Sequence, residues 1–443
     1  MTVRHPLQRC SLIFSATVSM AVIGGFFATD ALSKGLSFKE QISEILDKHP
    51  RIEAARQTVQ SLKEGISVSQ KAWFPDLAVT GSRAKENRNN VSGTDDTTMK
   101  SAELKLTLTQ PIYDFGSKST AIRIARLRLE QAEKTLELTK QSIILEIGVA
   151  QIGASTAIDK LRYARRSLSN LKKQTKLENI KVKTGAGVST DVLQAKVQLA
   201  GARARLLATE GQLKTQENRY RAVFGELQND FLKSRKLKLP IDALPETEDE
   251  ALAMAKKSNY QIRSLQDAVS LSKAALSQVK SDQVWPKFSF VLDKSFKENV
   301  GGTRGKAQEL TAKFQFTYNF NLGFSVVNSI DAARANYSAA QRQLDDARRL
   351  INESVSNAFT AYQQSLENAE LLAEQAALSA AFLELARKER KLGKRSLLEI
   401  LAGETAEINA KSDAAEAEGA RVSTSLALLS AMGVLDKKHL ILK

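Results

Sequence analysis

Two stretches of this chain alternate apolar and polar side chains with a period of two. In 102–113, Ala102, Leu104, Leu106, Leu108 and Ile112 alternate with Glu103, Lys105, Thr107 and Thr109. In 312–322, Ala312, Phe314, Phe316, Tyr318, Phe320 and Leu322 alternate with Lys313, Gln315, Thr317, Asn319 and Asn321. Alternation of this kind predicts strands with one apolar face. Each has a candidate partner, 76–84 and 287–295, with Leu77, Val79, Phe288, Phe290 and Leu292 on one face. The intervening segments 85–100 and 296–308 are polar and rich in Gly, Asn, Asp and Thr, which predicts exposed hairpin loops.

Elsewhere the apolar positions step by three and four. Ile122, Ala125, Leu129, Ala132, Leu136, Thr139 and Ile143 form one such stripe, and Leu366, Ala369, Ala373, Ala376, Ala380 and Leu383 another. Both read as coiled-coil seams, and their alanines imply close helix approach. From Ser117 to Lys183 nothing breaks the helix, giving a rod about 100 Å long at about 1.5 Å per residue. Gly185 and Gly187 end it, and Ser189 or Thr190 is placed to cap a successor reaching about Phe224. In the second half Gly393 ends the helix and Ser396 caps the next, to about Met432. Residues 37–71 form a first helix, opened by a Ser37/Glu40 capping box and interrupted at His49-Pro50.

The order of elements repeats. Trp73-Phe74-Pro75 matches Trp285-Pro286, the run Gln110 to Gly116 matches Thr317 to Gly323, and Gly185 with Asp191 matches Gly393 with Glu399. The seven prolines avoid 112–239 and 287–443, as long helices require. The predicted organisation is a first repeat over 34–226 (barrel hairpin 75–113, helical hairpin 117–224) and a linker over 227–250. A second repeat over 251–435 (barrel hairpin 286–322, helical hairpin 324–432) and a tail over 436–443 follow. A duplicated unit mixing short strands with such helices suggests a tube.

Pattern alone leaves a half-buried soluble sheet and a membrane wall equally open. Strands of about ten residues are long enough to span. Four strands cannot close a barrel, and lipid does not tolerate an open sheet edge. One chain could therefore span only by pooling strands with copies of itself, and three copies would supply twelve.

Composition narrows the function classes. Residues 1–33 read as a secretory signal, with Arg4 and Arg9 before an apolar run and small residues at Ala31 and Ser33. The one cysteine, Cys10, lies within it, so no disulfide or thiol chemistry is expected. The net charge of +16 comes from Lys and Arg interleaved with Glu along helices, a solvated-face pattern rather than a nucleic-acid footprint. The three histidines, His5, His49 and His439, form no metal-ligand spacing, and no phosphate loop is present, so an enzyme is not expected.

Taken in order, His49-Pro50, Phe74-Pro75, Gln110-Pro111-Ile112-Tyr113-Asp114-Phe115-Gly116 and the Gly185–Asp191 and Gly393–Glu399 turns resemble the TolC family of Gram-negative outer-membrane efflux and secretion channels. The resemblance covers 36–435. It implies a mostly α fold with a membrane β-barrel: a homotrimer giving four strands per protomer to a twelve-stranded barrel, above long periplasmic coiled-coil helices. It implies a passive exit duct in the outer membrane and its lipid, with no cofactor or metal. The duct would work with a periplasmic adaptor and an inner-membrane ABC or proton-driven transporter to export proteins or small molecules. The resemblance also places a periplasmic gate at Thr190, Asp191 and Arg395. Arg390 stands where the family has a tyrosine. Glu399 supplies an acidic aperture ring, whose second acidic position is Ala402 here. The hairpin tips Gly185, Ala186, Gly187, Gly393, Lys394 and Ser396 would touch the adaptor. The alternative expectation is a structural coiled-coil envelope protein or surface fibre.

Overall fold

A computed structural model describes residues 37–88, 97–225, 235–319 and 321–442. The expected signal segment 1–33 and the first part of the 227–250 linker lie outside the described residues. The first helix breaks at His49-Pro50 into α1 (Phe38–Lys48) and α2 (Pro50–Lys71). Pro50 stands in the first turn of α2, where no N–H is missed, and the His49 side chain accepts from the Arg51 amide at 3.2 Å. The Ser37/Glu40 capping box forms as expected.

Strands β1 (Asp76–Arg88) and β2 (Thr97–Tyr113) follow, and β3 (Lys287–Glu298) and β4 (Lys306–Thr317) repeat them. The four form one antiparallel sheet in the order β1-β2-β3-β4. The strands run further into the expected loops than their alternation suggested. Residues 85–88, 97–100, 296–298 and 306–308 are strand, because each finds a ladder partner across the hairpin. β4 stops at Thr317 rather than near 322, and Phe320 lies outside the described residues. The Asn321 side chain accepts from the Gly323 amide at 2.7 Å, and Asn321 O from the Phe324 amide at 3.0 Å. That local turn takes backbone groups a ladder would need.

Each hairpin feeds a 67-residue rod, α3 (Ser117–Lys183) or α7 (Ser325–Lys391). The entry to α3 explains the Asp114-Phe115-Gly116 run. Phe115 (φ 50°) and Gly116 (φ 86°) are both left-handed, and Asp114 carboxylate oxygens accept from the Gly116 and Lys118 amides. Phe115 stacks on Trp285 with centroids 4.8 Å apart, tying the first hairpin exit to the second hairpin entry. Helices α4 (Ser189–Phe224), α5 (Glu248–Ser258), α6 (Tyr260–Gln283) and α8 (Leu397–Ala431) complete the set.

The packing makes two tiers. Next to the sheet the helices lie in the order α2-α3-α6-α7, and beyond it in the order α4-α3-α8-α7, so α3 and α7 run through both. Where the tiers meet, Ile42, Ile52, Ile147, Ile262, Val355, Leu426, Leu429 and Met432 form the main buried core. Each such side chain contributes about 1.5–3 kcal/mol. The two linker pieces seal this equator: Leu237 bridges antiparallel to Leu442, and the Lys238 amide donates to Ile441 O at 2.6 Å. Gly433 (φ 75°) ends α8 with its α-carbon against the Asn259 backbone.

A duct wall with paired hairpin tips

Register sorts every strand residue onto one of two faces. One face carries Leu77 and Val79 of β1, Leu104, Leu106 and Leu108 of β2, Phe288, Phe290, Leu292 and Phe296 of β3, and Leu310, Ala312, Phe314 and Phe316 of β4, with Gln110, Gln308 and Lys294, whose ammonium lies 5.2 Å from the Phe296 ring, among them. Phe314 is 82% exposed and Phe316 70%, so among the described residues nothing covers them. An apolar patch of this extent marks a membrane or partner surface. The opposite face is polar. Asp293 sits between Lys105 and Lys313, each 3.4 Å away, and accepts from Thr107 Oγ1 at 2.7 Å. Lys297 pairs with Glu309 at 2.7 Å. Among the described residues, both outer strands, β1 and β4, have a strand neighbour on one side alone.

At the far end of the rods, the two tips share one turn. In the first, the Ala186 amide donates to Lys181 O and the Gly185 amide to Val182 O; in the second, the Lys394 amide donates to Glu389 O and the Gly393 amide to Arg390 O. These are Schellman closures, with Gly185 (φ 75°) and Gly393 (φ 76°) in the left-handed region. A Cβ on Gly187 would stand 2.9 Å from Val182 N, so only glycine fits there. Ser396 caps α8, accepting from the Glu399 amide at 3.3 Å. The first tip departs from expectation. Neither Ser189 nor Thr190 caps α4; Val188 holds the capping position without a side-chain bond, because the tight Gly187 turn delivers the extended residue one step early. Thr190 is exposed and Asp191 lies in the first turn of α4.

The structure joins some of the expected gate residues. Arg395 Nε donates to Glu389 at 2.7 Å and Nη1 to Glu399 at 3.0 Å, and its guanidinium lies 5.6 Å over the Phe382 ring. Glu389 and Glu399 hold its pKa above the ordinary arginine value, and Arg395 with Ser396 holds Glu399 below the ordinary carboxylate value. Arg390 Nη1 donates to the Arg395 carbonyl at 3.2 Å. Within one protomer, neither Thr190 nor Asp191 makes a side-chain bond to Arg395 or Arg390; α4 meets α8 in a small cluster of Ala195, Ala202, Leu397 and Leu401 and through Thr405 Oγ1, which donates to Gln198 Oε1 at 3.4 Å.

Two buried carboxylates that sequence reading passed over link the halves. Glu178 of α3 accepts from Arg390 Nη2 of α7 at 3.0 Å and from Lys181 at 3.0 Å. Glu404 of α8 accepts from Arg387 of α7 at 2.7 Å and from Gln174 of α3 at 2.8 Å. The signal was available. Leu171, Gln174 and Glu178 continue the inward-facing stripe of α3 at steps of three and four, so a carboxylate there must be buried and needs a cation.

Burial pushes Glu178 up, but its bonds from Lys181 and Arg390 outweigh burial and leave it below 4.5. Burial raises Glu404, and Arg387 offsets this only in part. Glu178 therefore holds the tips together at full strength above pH 4.5 and loses hold as the pH falls through its lowered value. Hydrogen-exchange protection in 178–188 is expected to drop on acidification below pH 4.5. Glu178→Gln is expected to show reduced protection already at pH 7 and no acid limb. An acid limb of the same size in the variant would assign it to another group.

A sheet with one bare apolar face, a polar opposite face and rods capped by paired tips defines a membrane channel protein. A match to the outer membrane efflux protein family spans residues 41–226 and 251–434, and the chain belongs to that family. It is similar to the outer membrane efflux protein BepC of Brucella suis biovar 1 (strain 1330), 22% identical over 88% of this chain and 83% of that one. It is also similar to outer membrane protein TolC of Escherichia coli (strain K12), 20% identical over 85% of this chain and 78% of that one. The solved outer-membrane channel OprN shares the fold with a TM-score of 0.77 at 21% identity, covering 89% of both chains. The chain is an outer-membrane exit duct with a periplasmic tunnel, in a family of transport components rather than enzymes. Channels of this family are homotrimers that work with adaptors and inner-membrane pumps.

Proposed function

We propose that three copies close edge to edge, β4 of one beside β1 of the next, into a twelve-stranded barrel continued by a twelve-helix tunnel. The observation that carries this is the four-stranded sheet, open at both edges, with one face apolar over most of its length and basic at the turn end. Lipid offers no partner to a bare edge, so another copy must supply it. The helix tiers match, since each copy contributes four helices per tier with α7 always at one edge. A surface fibre would leave the sheet without a purpose.

Closure also places the gate. α4 is an edge helix of the lower tier, so Thr190 and Asp191 at its start meet the α7-α8 tip of the neighbour, where Arg395 and Arg390 sit. A carboxylate-guanidinium pair there is directional and breakable, which suits a latch. Arg395 also holds Glu399, so it governs the aperture ring as well. Lys394, Ser396 and Ala186 remain exposed at the tips for a periplasmic adaptor, and an inner-membrane ABC or proton-driven transporter would supply the protein or small-molecule cargo.

In planar bilayers, Asp191→Ala and Arg395→Ala are each expected to raise the single-channel conductance of the purified full chain several-fold. Arg395→Ala should also strengthen block by hexaamminecobalt(III), because it frees three Glu399 carboxylates. Unchanged conductance in both variants would remove the latch.

A further inference from the structure

The apolar face of the sheet ends differently at its two margins. At the helix end it finishes in aromatic rings: Phe288 and Phe316 are register partners, and Phe115 and Trp285 stack beside them. At the turn end it finishes in cations. Arg83, Lys85, Lys100 and Lys306 stand on this face and are exposed, against one carboxylate among the described residues, Glu298; the half-buried Lys294 shares the face four residues nearer its middle, with its ammonium 5.2 Å from the Phe296 ring. Lys85 and Lys100 are direct register partners on adjacent strands. Like charges so placed repel. Among the described residues, Arg83, Lys85 and Lys100 have no carboxylate partner. The nearby Glu86 and Arg88 lie on the opposite face and bind the Gly301 amide and carbonyl.

Depth decides what meets this row. Ten residues separate Phe288 from Glu298, whose row includes Arg83. At about 3.4 Å per residue and a tilt of about 40°, that spans about 26 Å of membrane normal. The outward apolar band of such barrels is about 25 Å tall. The Arg83 row therefore stands at the hydrocarbon boundary, and the Lys85–Lys100 row about 5 Å beyond, at headgroup level. With the tunnel periplasmic, this margin faces the outer leaflet.

We propose that Lys85 and Lys100, with Arg83 beside them, bind the phosphate of an anionic lipid of the outer leaflet. The anion relieves the repulsion of the lysine pair, and lipid presents it at the level of the row. Basic side chains at a membrane surface recognise anionic headgroups in this way. The inference rests on the sheet being a barrel wall, and goes beyond the duct reading by naming a lipid ligand.

The test uses the purified full chain in dodecyl maltoside, titrated with dioleoyl phosphatidic acid or dioleoyl phosphatidylcholine and read by native mass spectrometry. The wild type is expected to retain phosphatidic acid preferentially. Lys85→Gln with Lys100→Gln is expected to weaken that retention about 30-fold and leave phosphatidylcholine unchanged. Lys85→Arg with Lys100→Arg is expected to keep it. Unchanged retention in the glutamine variant, while its conductance shows an intact channel, overturns the lipid site alone. Displacement of the lipid by equimolar sodium pyrophosphate would make the row a site for free anions and overturn the lipid assignment. A wild type that forms no channel overturns the duct reading and this inference with it.

Discussion

Leu292→Arg is expected to abolish assembly of the duct in the outer membrane. Leu292 lies between Leu108 and Ala312 on the apolar face, midway between the aromatic and basic margins. Arginine at the midplane of an outer-membrane barrel costs about 2–4 kcal/mol, and every copy in the ring carries it. Fractionation of cells expressing the variant should find the chain outside the detergent-extractable outer membrane. Thr311→Arg is the matched control. Thr311 pairs with Asp293 on the polar face at nearly the same depth, and its variant should assemble like the wild type. Normal assembly of Leu292→Arg would invert the assignment of the two faces.

Gly433→Ala should be the most damaging glycine substitution at the equator. The residue has φ 75°, and an added Cβ would lie 2.6 Å from Asn259 Cα and 3.1 Å from Asn259 N. Backbone cannot step aside as a side chain can. Left-handed strain costs about 1–2 kcal/mol and overpacking about 1–3 kcal/mol. The site also organises its surroundings: Gly433 O accepts from Gln141, and Asn259 Nδ2 donates to Ala431 O at 2.9 Å while its Oδ1 caps α6. Denaturant unfolding should therefore show a loss of about 2–5 kcal/mol. Gly185→Ala, with the same φ but open space around it, should cost only about 1–2 kcal/mol. Equal losses would mean that φ strain alone sets the cost.

Much of this architecture is legible in the chain because local signals and tertiary demands agree. The alternation in 312–317 and the unbroken run from Ser117 to Lys183 each match the element formed. The misses have a common cause. Lys85 and Lys100 read as loop because their polarity is a turn signal, yet strand pairing extends past them. Val188 displaced Ser189 as the cap because turn geometry outranked side-chain preference. Glu178 and Arg390 are 212 positions apart, and only the packing of α3 against the second half makes them neighbours. Local residues report what they prefer; they do not report which distant surface will be pressed against them.

The two tiers also have a mechanical consequence. α3 and α7 are 67-residue rods that pass through both tiers without a proline, so they behave as struts. α4 and α8 belong to the lower tier alone and end at the equator at glycines with φ 82° (Gly225) and φ 75° (Gly433). Each copy therefore carries two struts and two levers. At those glycine ends the backbone of α4 and α8 has a freedom that the unbroken α3 and α7 lack.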